Sequence, residues 1–306
     1  MLMPSGSVLP GRVLKLIVSS IRESIYDVAV LSISQEFYSK GAFKMQEAFQ
    51  MSKMITGAWI SQMVYVTAKL KLADLVAVKP RSAEELAGLT ETQPDMMFRV
   101  LRALASVGVF AENEDSKFET TPLSETLRSD IPNSQWALAI MMGEEHYRCW
   151  GELIYSLETG KKSFDKLYDQ PIFEYLGENS EAAIVFDAAM TSVHGRESIP
   201  MATAYDFSQF SSMVDIGGGN GSLLSTILGV HESVKGAIYD LPSVINRTQT
   251  TLSASPVADR IELLSGNFFE SAPAGFDCYL MRHIIHDWTD EECGIILQKL
   301  SFGNAR

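Results

Sequence analysis

The residues best suited to chemistry lie near the carboxyl terminus, in the run Arg282-His283-Ile284-Ile285-His286-Asp287-Trp288. The run follows a predicted strand at residues 277–281, and parallel sheets bind their ligands beyond the carboxyl ends of the strands. Histidine side chains exchange protons near neutral pH, so we predict that His286 is a general base at this edge. A metal site made of His283, His286 and Asp287 is the weaker alternative, because the sequence shows no further ligand set.

A glycine-rich turn is the second chemical feature. Four glycines lie between Gly217 and Gly221, directly after a predicted strand at residues 213–216. They let the backbone turn tightly and approach a ligand where a Cβ would collide. Asp240 ends the next predicted strand, 23 residues after Gly217, where a carboxylate can accept hydrogen bonds from two ribose hydroxyls. A cap on the turn into Pro242 is the structural alternative for this aspartate.

An amide beside an aromatic side chain follows the third predicted strand, at residues 261–264. Asn267 and Phe268 suit an adenine ring, because the amide can hydrogen-bond its edge while the phenyl group packs on its face. Ordinary loop residues are an equally good interpretation of this pair. The glycine turn and Asp240 fit a nicotinamide dinucleotide equally well, but Asn267, Phe268 and the histidine run argue against it.

A parallel sheet is needed to bring these residues together. After residue 200 the pattern alternates strand, glycine turn, helix and strand, which is typical of an α/β, doubly wound sheet. A further helix is predicted from Asp290 to about residue 300. Residues 134–205 are predicted as helices, with breaks at Pro132, Pro171 and Pro200.

The chain before this region has a different pattern. Apolar residues recur at helical spacing between residues 45 and 75, which indicates a core or a dimer contact. Ser82, with Glu85 three residues on, predicts a capped helix. A second helix is predicted at residues 96–107, and a hairpin with strands at 109–111 and 117–120 follows it.

Helix, helix and hairpin in this order are typical of a winged helix. Arg99 and Arg102 are the only basic residues of the second helix, so scaffolding or dimerisation is favoured over DNA binding. We predict a helical extension at residues 1–44, a dimerisation and substrate domain at 45–200, and a cofactor-binding domain at 201–306.

Charge and cysteine content restrict partner and compartment. The formal net charge is −13 and the pI about 4.9, so nucleic acid and anionic membranes are disfavoured as partners. Three cysteines without CxxC spacing fit thiols in a reducing compartment, and we predict a cytoplasmic protein. Charges interrupt the apolar stretch at residues 13–33, so we predict neither a signal peptide nor stable membrane insertion.

Four motifs in a fixed order carry a family resemblance: VDIGGGNG, IYDLP, GNFF and MRHIIHDWTDEEC. Through them the chain resembles S-adenosylmethionine-dependent O-methyltransferases of the caffeate and hydroxyindole type. The predicted winged helix is similar to the dimerisation region of that family. The resemblance implies a Rossmann-like cofactor domain, a homodimer, and methyl transfer to the hydroxyl of a small aromatic acceptor without a metal.

The resemblance also implies roles for single residues. Gly217 and Gly219 would hold the methionine portion of S-adenosylmethionine, and Asp240 would hold the ribose. Asn267 and Phe268 would hold the adenine, although the family usually has aspartate in place of this asparagine. An amide still hydrogen-bonds adenine, so we expect weakened cofactor binding.

Further site residues follow from the same resemblance. The family commonly has lysine where this chain has Arg282, which would face the cofactor. Phe186 and Met190 resemble a helical pair that packs over the cofactor, whereas spacing alone makes such a pair core. For the acceptor pocket we select residues of the helices before the sheet, for which ordinary helix packing is the alternative: His146, Tyr147, Trp150, Met141 and Met142.

The chain ends at Arg306, whereas the family continues with further strands and a glutamate that orients the histidine. We therefore expect the fourth strand to be an open edge with one face of the sheet uncovered, and we expect low stability or aggregation and weak or absent turnover. A catalytically inactive dimerisation or regulatory module is the alternative function, and it predicts cofactor binding without turnover. A nicotinamide-dependent oxidoreductase is disfavoured, because no hydride-transfer site is evident.

Overall fold

The computed structural model describes residues 40–303, with side chains from residue 46 to 300. The chain divides into two compact units, between Glu125 and Thr126. The predicted helical extension lies outside the described residues, except for the start of the first helix. The predicted boundary at residue 200 is a division by role and stays a prediction. By contacts, the helices after Thr126 group with the sheet.

The first unit is mainly helical and ends with a small hairpin. In chain order its elements are α1 Lys40–Ile55, α2 Gly57–Lys69, α3 Leu72–Val78, α4 Ala83–Thr90, α5 Pro94–Ser106, β1 Phe110–Glu112, β2 Phe118–Thr120 and α6 Pro122–Glu125. The two strands pair antiparallel, with Phe110 opposite Thr120. The predicted order of helix, helix and hairpin is therefore confirmed.

Local chemistry explains two boundaries in this unit. The Ser82 hydroxyl accepts a hydrogen bond from the Glu85 backbone, and the Glu85 carboxylate accepts one from the Ser82 N–H, so the predicted capping box is present. Helix α5 begins at Pro94, two residues before the predicted start. Proline is favoured in the first turn of a helix, because the N–H that it lacks would have no partner there.

The second unit combines helices with a parallel sheet. Its elements are α7 Trp136–Gly143, α8 Glu145–Gly151, α9 Leu153–Thr159, α10 Ser163–Tyr168, α11 Ile172–Glu178, α12 Ser180–Ala204, β3 Ser212–Ile216, α13 Ser222–Val230, β4 Lys235–Asp240, α14 Pro242–Leu252, β5 Ile261–Ser265, β6 Cys278–Leu280 and α15 Asp290–Gly303. Single 3₁₀ turns lie at Phe207–Gln209, Ala258–Arg260 and Ile285–Asp287.

The sheet has the strand order β5-β4-β3-β6, and all three pairings are parallel. The chain moves outward from β3 through β4 to β5, and then crosses to the other side of β3. This reversal opens a crevice between the carboxyl ends of β3 and β6, where such sheets bind ligands. The predicted α/β, doubly wound sheet is confirmed, and β6 forms one edge of the sheet among the described residues.

Alternating side chains cover both faces of the sheet. On one face, Met213 and Ile238 pack with buried leucines of α13 and with Ile245 and Leu252 of α14. On the other face, Val214 and Ile216 pack against Ile296 and Leu300 of α15. A strand buried on both faces is expected where helices flank a parallel sheet, so β3 is the centre of the core.

Pro200 does not break the helices as predicted. It lies inside α12, which runs unbroken for 25 residues from Ser180 to Ala204. Proline removes one backbone hydrogen bond from a helix interior, but tertiary packing can compensate for it. Here Ser198 and Ala202, on either side of the proline, are buried.

Candidate functional site

The crevice between β3 and β6 is formed by two loops. One is the glycine turn after β3, and the other is the segment from Met281 to Trp288, which we call the histidine loop. The loops touch, because a Cβ on Gly217 would collide with Cδ1 of Ile284. The φ of Gly217 is +67°, so glycine is favoured there by the backbone as well as by the histidine loop.

Gly219 stands at the open side of the turn. Its φ is +56°, and a Cβ built there would meet no atom within 4 Å. Its N–H donates to Oδ2 of Asp240 at 2.9 Å, and its carbonyl accepts from the Thr248 hydroxyl at 2.8 Å. Hydrogen bonds to Asp240 and Thr248 thus fix the turn, and the space at the Cβ position of Gly219 is open to a ligand. This fits the predicted cofactor role of Gly219.

Asp240 is placed at the carboxyl end of β4, as predicted. Its two oxygens accept from the backbone N–H groups of Gly219 and Leu241. Burial raises the pKa of this carboxyl, and the two backbone hydrogen bonds oppose the rise. Each carboxylate oxygen can accept more than one hydrogen bond, so capacity for ribose hydroxyls is left.

Asp215 is a second acidic residue of the site that the sequence-based predictions do not include. It lies in the middle of β3, is 3% exposed, and burial raises its pKa to about 7. The Arg282 guanidinium lowers this pKa, and the Asp240 carboxylate raises it. A charged residue inside an otherwise apolar strand is the signal that could have identified it.

Asn267 and Phe268 are found in a turn just after β5. Oδ1 of Asn267 accepts from the Phe269 N–H at 3.0 Å, so the amide caps this turn. Phe268 and Phe269 form an aromatic cluster with Trp288 of the histidine loop, at centroid distances of 5.9 and 4.7 Å from the indole. The structure therefore brings the predicted adenine residues next to the histidine loop.

Arg282 is directed to helix α12. Its Nη1 donates to the Ser198 hydroxyl at 3.0 Å and to the His194 carbonyl at 3.3 Å. The residue that the resemblance places on the cofactor thus also anchors the histidine loop to a helix. Another contact joins the same helix to the glycine turn, because Nδ2 of Asn220 donates to Oγ1 of Thr191 at 2.6 Å.

His286 lies in the 3₁₀ turn of the histidine loop. Its side chain is 59% exposed, and its Nε2 lies 3.4 Å from Oδ1 of Asp287. Burial raises the pKa of Asp287, while His286 and Lys162 oppose that rise. The imidazole is thus accessible and lies at ion-pair distance from a carboxylate.

His283 lies beside both His286 and helix α12. Its ring stacks on His194 of α12 with the centroids 3.6 Å apart, and its Nε2 lies 3.3 Å from Oε2 of Glu197. The ring of His286 is 5.3 Å from that of His283. Burial lowers the pKa of His194, and the neighbouring His283 lowers it further.

Phe186 and Met190 lie on α12 and pack around buried Ala137, Met141 and Ala189. Phe186 contacts Phe173 edge-on at 6.2 Å, and Phe173 lies 6.0 Å from Trp288. The aromatic cluster of the histidine loop thus continues to α12. This placement satisfies the core interpretation of the pair and also puts it beside the crevice.

A narrow apolar pocket lies beside the aromatic cluster, on the side of helix α12. It is lined by residues that include Met141, His146, Phe164, Tyr175 and Phe186. Nδ1 of His146 is buried without a hydrogen-bond partner among the described residues, and burial lowers the pKa of this histidine. The hydroxyl of Tyr175 donates to Glu145, and burial raises its pKa to about 12.

The structure divides the predicted acceptor residues into two groups. His146 and Met141 line the pocket. Tyr147, Trp150 and Met142 are exposed large side chains outside it, with Trp150 the most exposed at 63%. Adjacent residues of a helix face different directions. The sequence alone did not show which of these directions leads to the pocket.

Two observations concern the surroundings of the protein. No helix among residues 40–303 is long and apolar enough to cross a membrane. Cys149, Cys278 and Cys293 are free thiols.

Comparisons with known proteins agree with this geometry. Models of an O-methyltransferase dimerisation domain and an O-methyltransferase domain match residues 52–130 and 150–302. A phenazine O-methyltransferase of Lysobacter antibioticus is 41% identical over 246 residues, covering 80% of this chain and 72% of that protein. The solved mitomycin 7-O-methyltransferase has a TM-score of 0.82 at 33% identity, covering 86% and 78%.

A further solved structure includes ligands. It is an O-methyltransferase from neocarzinostatin biosynthesis in complex with S-adenosylmethionine and 2-hydroxy-5-methyl naphthoic acid. The TM-score is 0.72 at 28% identity, covering 79% of this chain and 75% of that one.

Proposed function

Because the chain belongs to the O-methyltransferase family, it is an enzyme that uses S-adenosylmethionine to methylate aromatic acceptors, and we propose that His286 is the general base of that reaction. The observation that carries this proposal is the position of His286, accessible and beside Asp287, on the loop that closes over the glycine turn. The alternative of an inactive regulatory module is not favoured, because the relatives are named enzymes.

The residues of the crevice fit the cofactor. Gly217 and Gly219 would hold its methionine portion, and the open space in front of Gly219 supports this assignment. Asp240 would accept from the ribose hydroxyls, and Asn267 with Phe268 would hold the adenine. When bound, S-adenosylmethionine supplies an electrophilic methyl group on a sulfonium.

Phe186 and Met190 would pack against the cofactor from helix α12, where Phe186 contacts Phe173 of the aromatic cluster. Arg282 would hold the histidine loop in place through its bonds to α12. No metal is needed in this arrangement, because deprotonation makes an aromatic hydroxyl a sufficient nucleophile.

The two nitrogens of His286 have separate roles in this proposal. Oδ1 of Asp287 lies 3.4 Å from Nε2, so that nitrogen would carry the proton and Nδ1 would take the proton of the acceptor hydroxyl. The oxygen then takes the methyl group in line, and the bond from the methyl carbon to sulfur breaks. The imidazolium that results is stabilised by the carboxylate of Asp287.

The pocket beside Phe186 supports a planar aromatic acceptor. Aromatic and thioether side chains line it, and the unpartnered Nδ1 of His146 can bind one polar ring substituent or ring nitrogen. The cavity is only about 20 Å³, so it would take one substituent of the acceptor and not the whole ring system. The acceptor class that we propose, a hydroxylated phenazine, follows from the name of the phenazine O-methyltransferase relative. Trp150, Tyr147 and Met142 would then serve as outer contacts of the acceptor or of a second subunit.

The dimerisation-domain match supports a homodimer, and the three free thiols support a reducing, cytoplasmic location. The acidic net charge gives no basis for a nucleic-acid partner.

The proposed base is tested with His286→Ala. We expect kcat/KM for a hydroxyphenazine acceptor to fall by about 10²- to 10⁴-fold, because general-base catalysis contributes that much. Calorimetric titration with S-adenosylhomocysteine should give a Kd within about twofold of wild type, since the histidine does not hold the cofactor.

His231→Gln is the matched control. Nε2 of that histidine donates to the Ala202 carbonyl, away from the crevice, so its replacement should leave turnover near wild type. Equal activity of His286→Ala and wild type would refute the assignment of the base. Binding of S-adenosylhomocysteine by a wild type that transfers no methyl group would instead favour the inactive module.

A further inference from the structure

Three potential metal ligands meet where helix α12 faces the histidine loop. Nδ1 of His194, a carboxylate oxygen of Glu197 and a ring nitrogen of His283 all lie within 4.8 Å of one another. His194 and Glu197 are three residues apart on α12, so they share one face of the helix. His283 comes from a different element, the loop after β6, so an ion bound here would join the two.

The polar atoms of this cluster are not fully used by the fold. Nδ1 of His194 is buried and has no hydrogen-bond partner among the described residues. An unpartnered buried nitrogen costs free energy, so a native site that retains one calls for an explanation. A ligand that accepts the nitrogen lone pair would provide it.

The backbone of the histidine loop is arranged for this contact. His283 has a φ of +58°, which is uncommon for a residue other than glycine. Such a conformation is strained and persists where the surrounding structure fixes it, often at ligand sites. With this backbone the imidazole stacks on His194 and its Nε2 lies beside Glu197, while the side chain stays 33% exposed.

Two of the three separations between the ligand atoms are close to those of a tetrahedral ion. Bonds of about 2.0–2.1 Å to zinc separate neighbouring ligand atoms by about 3.3 Å. Nε2 of His283 lies 3.3 Å, and Nδ1 of His194 3.9 Å, from Oε2 of Glu197. We propose that His194, Glu197 and His283 form a binding site for Zn²⁺ that ties the histidine loop to helix α12.

The donor set determines the class of ion. Two imidazoles and one carboxylate suit zinc and its transition-metal neighbours, whereas Mg²⁺ and Ca²⁺ prefer oxygen ligands only. The stacked imidazoles must rotate to aim both lone pairs at one ion, and the His283 side chain, which is 33% exposed, has room to do so.

Three protein ligands leave the fourth zinc position open. The ring of His286 lies 5.3 Å from that of His283, so its nitrogen is the nearest further imidazole to that position. If zinc takes this lone pair, His286 cannot accept the proton of the acceptor. Zinc would then inhibit methyl transfer, a consequence that rests on the function proposed above.

Calorimetric titration of the metal-stripped full chain with ZnCl₂ tests the site directly. We expect one zinc per chain with micromolar affinity, and a visible ligand-field spectrum typical of tetrahedral coordination when Co²⁺ replaces zinc. MgCl₂ should give no saturable heat. None of these readouts depends on the cofactor or on turnover, so they decide the site even if the proposed function fails.

Three variants identify the ligands. His194→Gln, Glu197→Gln and His283→Asn should each weaken zinc binding by about tenfold or more. Asparagine is chosen at 283 because it tolerates a positive φ, so the loop should keep its fold. His231→Gln is the matched control and should bind zinc like the wild type, which also excludes nonspecific binding to histidine.

Two results would overturn the site: no saturable zinc binding by the folded wild type, or equal affinity in wild type and all three ligand variants. Micromolar zinc should also inhibit methyl transfer in the wild type and fail to inhibit His194→Gln. Zinc binding without inhibition would overturn the proposed link to His286.

Discussion

Asp215 shows how a single side chain can be costly to the fold and still be retained. It is enclosed in the central strand between two helix-covered faces, where a carboxylate loses most of its hydration. The nearby Arg282 guanidinium compensates for part of this cost, and the Asp240 carboxylate adds to it. Ionisation of this buried carboxyl therefore lowers the free energy of unfolding, at a position next to the glycine turn.

The penalty predicts a pH-dependent stability difference. Burial raises the pKa of Asp215 to about 7, whereas the unfolded chain has a value of about 3.9. Folding then favours the protonated form, so the carboxyl costs nothing below pH about 4 and progressively more as the pH rises towards 7. Asp215→Asn removes this titration.

We expect Asp215→Asn to gain stability relative to the wild type when the pH is raised from 5 to 8, by on the order of a few kcal/mol. The measurement is the free energy of unfolding by urea, for both proteins at both values of pH. A stability difference that is the same at pH 5 and pH 8 would show that Asp215 does not titrate in this range.

At the scale of elements, helix α12 connects the parts of the site. Thr191 and Arg282 join it to the glycine turn and to the histidine loop, respectively. Asp187 of the same helix pairs with Arg247 of α14 at 2.8 Å. The position of this helix therefore sets the spacing between the cofactor turn and the base.

Thr191→Val tests this dependence with little change in volume. The hydroxyl of Thr191 binds the Asp187 carbonyl and also accepts from Asn220, so valine removes the contact that reaches the glycine turn. One lost hydrogen bond is worth about 1 kcal/mol. We expect the Kd for S-adenosylhomocysteine to rise about fivefold in calorimetric titration.

Thr203→Val is the matched control on the same helix. Its hydroxyl binds the carbonyls of Ile199 and Pro200 within α12. It should lose a similar amount of helix stability and leave cofactor affinity unchanged. If both variants weaken binding equally, the effect belongs to helix stability and the proposed connection is wrong.

At the scale of the whole molecule, the described part of the first unit exposes a group of large apolar side chains. Met54, Ile55 and Trp59 are 75%, 72% and 59% exposed at the junction of α1 and α2. Adjacent exposed apolar residues of this size mark interaction surfaces. The dimerisation-domain match begins at residue 52, so a second copy is the partner that this surface favours.

A charge at this surface should separate the subunits. We expect Met54→Glu combined with Trp59→Glu to shift the protein from dimer to monomer in sedimentation equilibrium, because each carboxylate would have to be desolvated in the interface. Val78→Glu, at an equally exposed apolar position of α3, is the control and should remain dimeric. A dimer that persists in the double variant would place the interface elsewhere.

The sequence was informative wherever a local rule applies. Glycines after an apolar strand, a capped helix at Ser82 and an acidic residue at a strand end follow from backbone geometry and hydrogen bonding, which are readable over a few residues. The parallel sheet and the placement of Asp240 and His286 at its carboxyl edge were predicted on this basis. Family resemblance added the cofactor and the reaction, which local patterns cannot supply. The predicted low stability and weak turnover remain predictions.

Tertiary structure decided the features that depend on distant parts of the chain. Pro200 continues a helix because buried neighbours hold it there, and Asp215 becomes perturbed because two packed faces exclude water from β3. His283 meets His194 and Glu197 across 86 or more residues of sequence. Spacing along the chain does not predict such contacts. They form only when separate elements pack against one another, and this packing decides which side chains share a surface.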